Sequence, residues 1–195
     1  MTNSKIEYYS VVRPCFGQRV SGDAIFTKET ERGLLIVVID VLGHGEEAHE
    51  LAAQITDYLE TNYVDDIDKL IRLMHIYLKE SRGAAAGLCF LNFETRKVSY
   101  VGAGNTVIRK FGSADASLMS QEGTLGLVVR NPIVSNMSIS TEDVLLLYTD
   151  GITSHFRKED YPRLVNDDVR KISNNIVRNF GKEYDDASCI ALRYR

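Results

Sequence analysis

An α+β fold is predicted by three features of the chain: strands that arrive in consecutive runs, helices that come as one adjacent pair plus one late in the chain, and strands too apolar to face water. The expected architecture is two antiparallel sheets with helices covering their outer faces. The strand–helix alternation that would call for a parallel sheet is missing.

The first strands are read as IEYYSVVR (6–13), DAIFTKE (23–29) and GLLIVVIDV (33–41), with Glu31, Arg32 and Gly33 turning between the last two. GEEAHELAAQITDYLETNY (45–63) places Leu51, Ile55, Tyr58 and Leu59 at helical spacing. Glu46 and Glu47 fall in its first turn, where acids complement the helix dipole. A second helix starts near Asp65 and carries Ile67, Leu70, Ile71, Met74 and Leu78 on one face. AAAGLCFLNF (84–93) and KVSYVGAGN (97–105) flank a turn at Glu94, Thr95 and Arg96, and TVIRKF (106–111), PIVSNMSI (132–139) and DVLLLYTD (143–150) continue the meander. A last helix, about 167–180, precedes the final strand ASCIALRY (187–194). With no Pro/Gly/Ser-rich linker, repeat or low-complexity tract, a single domain over 1–195 is expected.

Composition sets the outer limits. A length of 195 residues suits one sizeable core, and 44% hydrophobic with 26% charged residues is ordinary for a soluble globular chain. A net charge of −4 gives no electrostatic reason to expect nucleic acid or an anionic membrane as partner. MTNSKIEYYS lacks a signal-peptide core, and LLIVVI and VLLLY are too short to span a bilayer, so a cytoplasmic location is expected. Cys15, Cys89 and Cys189 form no CxxC pair, which points to neither a disulfide framework nor a thiolate zinc site. Cys89 and Cys189 read as small core residues.

Carboxylates recur in one setting. Asp23 follows a glycine just before an apolar strand, Asp40 ends VVID, Asp150 ends VLLLYTD before Gly151, and Asp185 and Asp186 stand before ASCIAL. If they converge they repel one another, and each raises the proton affinity of the rest unless cations neutralise them. Oxygen-only ligation suits a hard ion such as Mg²⁺ or Mn²⁺. Taken on spacing alone, caps, turn formers and solvated acids explain these residues about as well.

The ordered set SGDAIF, IDVLGHG, TDGI and DDASCIAL resembles the metal-dependent protein phosphatases of type 2C (PPM). It is most similar to the bacterial branch that includes the sporulation stage II E phosphatase and the RsbU and RsbX regulators. RGAAAGLCFL (82–91) and YVGAGNTVIRK (100–110) resemble further family segments, and Ser188 stands at the hydroxyl position of the last motif. The resemblance implies a four-layer αββα sandwich and a phosphoserine/phosphothreonine protein phosphatase that hydrolyses its substrate in line with metal-activated water. It implies Asp40 as the ligand shared by two Mn²⁺ or Mg²⁺ ions, Asp150 and Asp185 as ligands of one ion, and the backbone carbonyl of Val41 as a further ligand. Asp23 matches the acid that acts on the attacking water or on a further metal position. Asp186 is a neighbour of the ligands, and Gly104 and Asn105 are either a supporting loop or a plain tight turn.

The chain departs from the family at Val41, where Gly is usual; a β-branched residue dislikes the backbone angles Gly allows, which would weaken metal binding. Arg19 lies one position out of register with the phosphate-holding Arg of the animal enzymes. His44 is chemically able to serve as a general acid but lies four residues beyond Asp40, so a turn or helix-cap role is the plainer reading. His44 and His49 do not have zinc-protease spacing, and His75 and His155 read as isolated surface residues. VGAGN is too short for a dinucleotide fingerprint. The stand-alone format is RsbX-like and implies phosphorylated STAS-domain stressosome proteins as partners. The alternative is a weak or inactive phosphatase-like module that binds a phosphoprotein, with Val41 as its only support.

Overall fold

The computed structural model describes residues 6–153 and 156–195; His155 lies outside them. The elements run β1 (Ile6–Arg13), β2 (Asp23–Glu29), β3 (Gly33–Val41), α1 (Glu46–Asn62), α2 (Ile67–Tyr77), β4 (Ala84–Asn92) and β5 (Lys97–Ala103). They continue with β6 (Val107–Phe111), β7 (Ala116–Met119), β8 (Ser135–Ser138), β9 (Val144–Tyr148), α3 (Val169–Phe180) and β10 (Ala187–Tyr194). Two five-stranded sheets result, one ordered β1-β10-β9-β6-β7 and the other β2-β3-β4-β5-β8. Their pairings are antiparallel.

Three apolar layers hold four structural ones together. The first lies between α1, α2 and the β3 sheet, the second between the two sheets, and the third between the β10 sheet and α3. This is the αββα sandwich that the family resemblance implies. Successive β3 residues serve two layers: Leu35, Val37, Ile39 and Val41 face the helices, while Leu34, Ile36 and Val38 face the other sheet. Burial on both faces is why GLLIVVIDV shows no polar alternation. The same period of two puts Asp40 on the inter-sheet face, at the end of the row Leu34, Ile36, Val38.

β1, β2, β3 and β10 occupy the segments read from sequence. Helices begin where local chemistry starts them. Asp66 accepts hydrogen bonds from the backbone of Asp68 and Lys69 at the start of α2, and Asp168 accepts one from Lys171 at the start of α3. The last helix therefore runs Val169–Phe180, close to the expected span of about 167–180. The segment read as PIVSNMSI shrinks to β8 on a sheet edge, since Pro132 has no N–H to offer a ladder. β7, an exposed four-residue edge strand, has no counterpart in the reading. Cys89 and Cys189 are core residues as expected. His75 is half-buried, and its Nδ1 accepts a hydrogen bond from the Gly126 backbone, which ties the 120–134 loop to α2. Among the described residues no helix is long and apolar enough to cross a membrane.

Candidate active site

At one end of the sandwich the inter-sheet layer turns from apolar to acidic. Asp23 and Asp40 are direct cross-strand partners on β2 and β3. Asp23 is 4% exposed. The Thr149 hydroxyl, arriving from the other sheet just after β9, donates to its Oδ2 at 2.6 Å, whereas its Oδ1 has no hydrogen-bond partner among the described residues. Burial pushes the Asp23 carboxyl up from 3.8 to about 7; the Thr149 and Ser188 hydroxyls work against that rise, and the charges of Asp186 and Asp185 add to it. Asp40 is half-buried and is driven higher, to about 9, first by burial and then by the charges of Asp23, Asp150 and Asp185.

Asp150 and Asp185 come from the β10 sheet. Asp150 follows β9, and Asn105 Nδ2 donates to its Oδ2 at 2.5 Å. Asn105 thus orients an acid, which favours the supporting-loop reading of that segment over a plain turn. Gly151 is required after Asp150 because a Cβ there would lie 1.7 Å from the Asp186 carbonyl oxygen. The carboxyl of Asp185 is raised by burial and by Asp150, with Lys182 opposing. Asp40, Asp150 and Asp185 line one cavity of about 520 Å³ together with Leu42, His44, Asn105 and Glu122.

Asp186 does a different job. Its two carboxylate oxygens accept hydrogen bonds from the backbone of Cys15 at 2.8 Å and Gly22 at 2.7 Å. It fastens the β1–β2 loop to β10, so its oxygens are committed to the backbone. Val41 also reads differently in three dimensions. It is the last residue of β3, is 1% exposed, packs on the helix side and is not among the residues with positive φ. A β-branched residue suits that extended position, so the expected backbone conflict does not arise. His44 is exposed on the cavity wall inside the Gly43–Gly45 turn, while Gly45 is the residue that caps α1. Arg19 is exposed.

The donor set is all oxygen and strongly acidic, and the unpartnered Asp23 Oδ1 lies within it, which fits a hard divalent cation. Among the described residues no three His, Cys, Asp or Glu side chains already close on one point. Carboxylates that repel are expected to stand apart around an open cavity until positive charge draws them in. Sequence reasoning missed Thr149 and Lys182. The first was legible as the hydroxyl residue before Asp150 in TDG; the second had no signal.

A model of the family described as stage II sporulation protein E (SpoIIE) matches residues 30–195. The phosphoserine phosphatase RsbX of Bacillus subtilis (strain 168) is 26% identical over 181 residues, covering 89% of this chain and 87% of RsbX. A solved structure of RsbX in complex with magnesium is similar with a TM-score of 0.83 and 24% identity, covering 97% of this chain and 96% of that one. A chain from work on the bacterial stressosome as a modular system controlling secondary messenger signaling is similar with a TM-score of 0.88 and 23% identity, covering 96% of this chain and 99% of that one. The PP2C phosphatase domain of SpoIIE from Bacillus subtilis is similar with a TM-score of 0.79 and 17% identity, covering 96% of this chain and 63% of that one.

Proposed function

Because the chain belongs to the SpoIIE family, we propose that it is a metal-dependent phosphoserine/phosphothreonine protein phosphatase that acts as one domain over residues 1–195. The observation that carries this reading is the convergence of Asp23, Asp40, Asp150 and Asp185 from both sheets on one end of the sandwich, where burial and then the neighbouring acids push the Asp40 carboxyl up to about 9. Likeness to RsbX and to a stressosome-derived chain supports phosphorylated STAS-domain stressosome proteins as substrates, a feedback role in stress signalling, and a cytoplasmic setting.

In this reading Asp40 would be shared by two Mn²⁺ or Mg²⁺ ions, Asp150 and Asp185 would be ligands of one of them, and the Val41 carbonyl would add an oxygen. Bound there, the cations stabilise charge on the phosphoryl oxygens and make the attacking water more acidic, which an ester this inert to hydrolysis demands. The net reaction converts phosphoserine and water to serine and inorganic phosphate: one P–O bond forms to water oxygen and the P–O bond to the serine oxygen breaks. Asp23 can take up a proton near neutral pH at Oδ1 while Thr149 fixes Oδ2. Asn105 restrains Asp150. No phospho-cysteine intermediate is involved, for Cys15, Cys89 and Cys189 are all buried.

The test uses p-nitrophenyl phosphate and a phosphoserine protein, with Mn²⁺, with EDTA, and with Asp40→Asn. Mn²⁺-dependent turnover that the variant loses is expected. Wild-type protein inert under every condition would defeat the enzyme reading, and an undiminished variant would defeat the site. The regulatory-module alternative is not favoured: its support was strain at Val41, and Val41 sits unstrained in a strand.

A further inference from the structure

A second cavity, of about 380 Å³, adjoins the acidic one and shares Gly104, Asn105 and Asp150 with it. Its wall is of another kind. Val107, Ile152 and Met119 line it alongside Lys182, and Met119 is 74% exposed at the surface. Thr106, Ser120, Tyr148 and Thr153 complete the lining, and the cavity opens beside Asp150, where the chain around a dephosphorylated serine would lie.

Lys182 is held in place by its own backbone. Its N–H donates to the Gly151 carbonyl at 2.8 Å, and its carbonyl accepts a hydrogen bond from the Arg13 guanidinium. The backbone of Lys182 is therefore fixed next to the Asp150–Gly151 turn, and its charge opposes the rise of the Asp185 carboxyl. Other cations close to the acids are engaged elsewhere. Arg82 donates to the Leu42 carbonyl and pairs with Glu47, and Arg13 donates to the carbonyls of Lys182 and Asp185.

Resting on the phosphatase reading above, we infer that Lys182 is the phosphate-positioning residue of this site and that the cavity it borders takes an apolar side chain adjoining the phosphoserine. A lysine on the wall of the second cavity, which shares Asp150 with the first, offers a mobile point charge to a phosphoryl group that enters beside Asp150. The Val107, Ile152 and Met119 surface then selects for Leu, Val or Met over Gly or Asp at the neighbouring position.

Steady-state kinetics on p-nitrophenyl phosphate and on two phosphoserine peptides, one with Leu and one with Asp flanking the phosphoserine, tests both halves. Lys182→Ala should raise KM about tenfold on all three substrates, in line with losing a charge-assisted hydrogen bond, and Lys182→Arg should recover most of it. Met119→Glu should raise KM on the Leu peptide at least about fivefold more than on p-nitrophenyl phosphate. Thermal unfolding of each variant checks that the fold is intact. A wild-type protein that turns over all substrates while Lys182→Ala keeps its KM overturns the inference, as does equal use of the Leu and Asp peptides. A wild type with no Mn²⁺-dependent turnover overturns the phosphatase reading itself.

Discussion

Asp23→Asn keeps the shape of a buried side chain and removes its charge. In the wild type the carboxyl titrates near 7 in place of 3.8. That gap corresponds to about 4 kcal/mol, at roughly 1.4 kcal/mol per tenfold change in proton affinity. The folded-state value is the higher one, so the proton favours the fold. This contribution is fully present below about pH 4 and is lost as pH rises through about 7. The charge of Asp23 also raises Asp40, so removing it relieves that carboxyl too. The Thr149 hydroxyl can donate to an amide oxygen as well as to a carboxylate, which preserves the 2.6 Å hydrogen bond. In EDTA at pH 8, Asp23→Asn should be about 2–4 kcal/mol more stable than wild type, narrowing to about 1 kcal/mol at pH 4.5. Urea unfolding at the two pH values measures the difference directly, and catalytic turnover should fall even as stability rises. A variant less stable than wild type at pH 8, or a gap that does not change with pH, would refute the assignment of a strained, buried carboxylate at this position.

The acid cluster should also make the fold responsive to metal. At pH 8, adding Mn²⁺ at a hundredfold over its dissociation constant should stabilise the wild type by about 2.7 kcal/mol, read as a rise in Tm that EDTA reverses and that fades at pH 4.5. Asp186→Ala strands the Cys15 and Gly22 N–H groups and should cost about 2–4 kcal/mol in chemical denaturation. Val41→Gly, although it restores the residue usual in the family, removes a buried side chain from a strand. It should cost about 2–4 kcal/mol with no gain in Mn²⁺ affinity by isothermal titration, and a marked gain would show that the side chain obstructs the site.

How much of this was legible in the chain depended on whether the information was local. β3 could be read because burial on both faces leaves an unbroken apolar run, and α2 and α3 because an aspartate caps each of them. β7 could not, since ASLM is short and mostly exposed, and only its pairing with β6 makes it a strand. In the site, the strand-edge position of Asp23, Asp40, Asp150 and Asp185 was visible, whereas their convergence needed the two sheets to be stacked. Asp186 shows the opposite limit: beside Asp185 in sequence it looks like a second ligand, and only the fold reveals that its oxygens are spent on backbone N–H groups. Val41 was misjudged because the departure from family usage was weighed before the strand continued through it.

The hydrogen bond from Thr149 to Asp23 joins one sheet to the other, and so does the site as a whole. Asp23 and Asp40 travel with β2 and β3; Asp150 and Asp185 travel with β9 and β10. Between them lies a layer of apolar side chains that resists separation but imposes little direction. Sliding one sheet over the other by a fraction of an ångström would alter the spacing of the two acid pairs without breaking a single strand pairing. The acidic end of the molecule is thus a vernier for the alignment of its two halves. A substitution deep in the inter-sheet layer, far from any acid, can detune the chemistry while leaving both sheets whole.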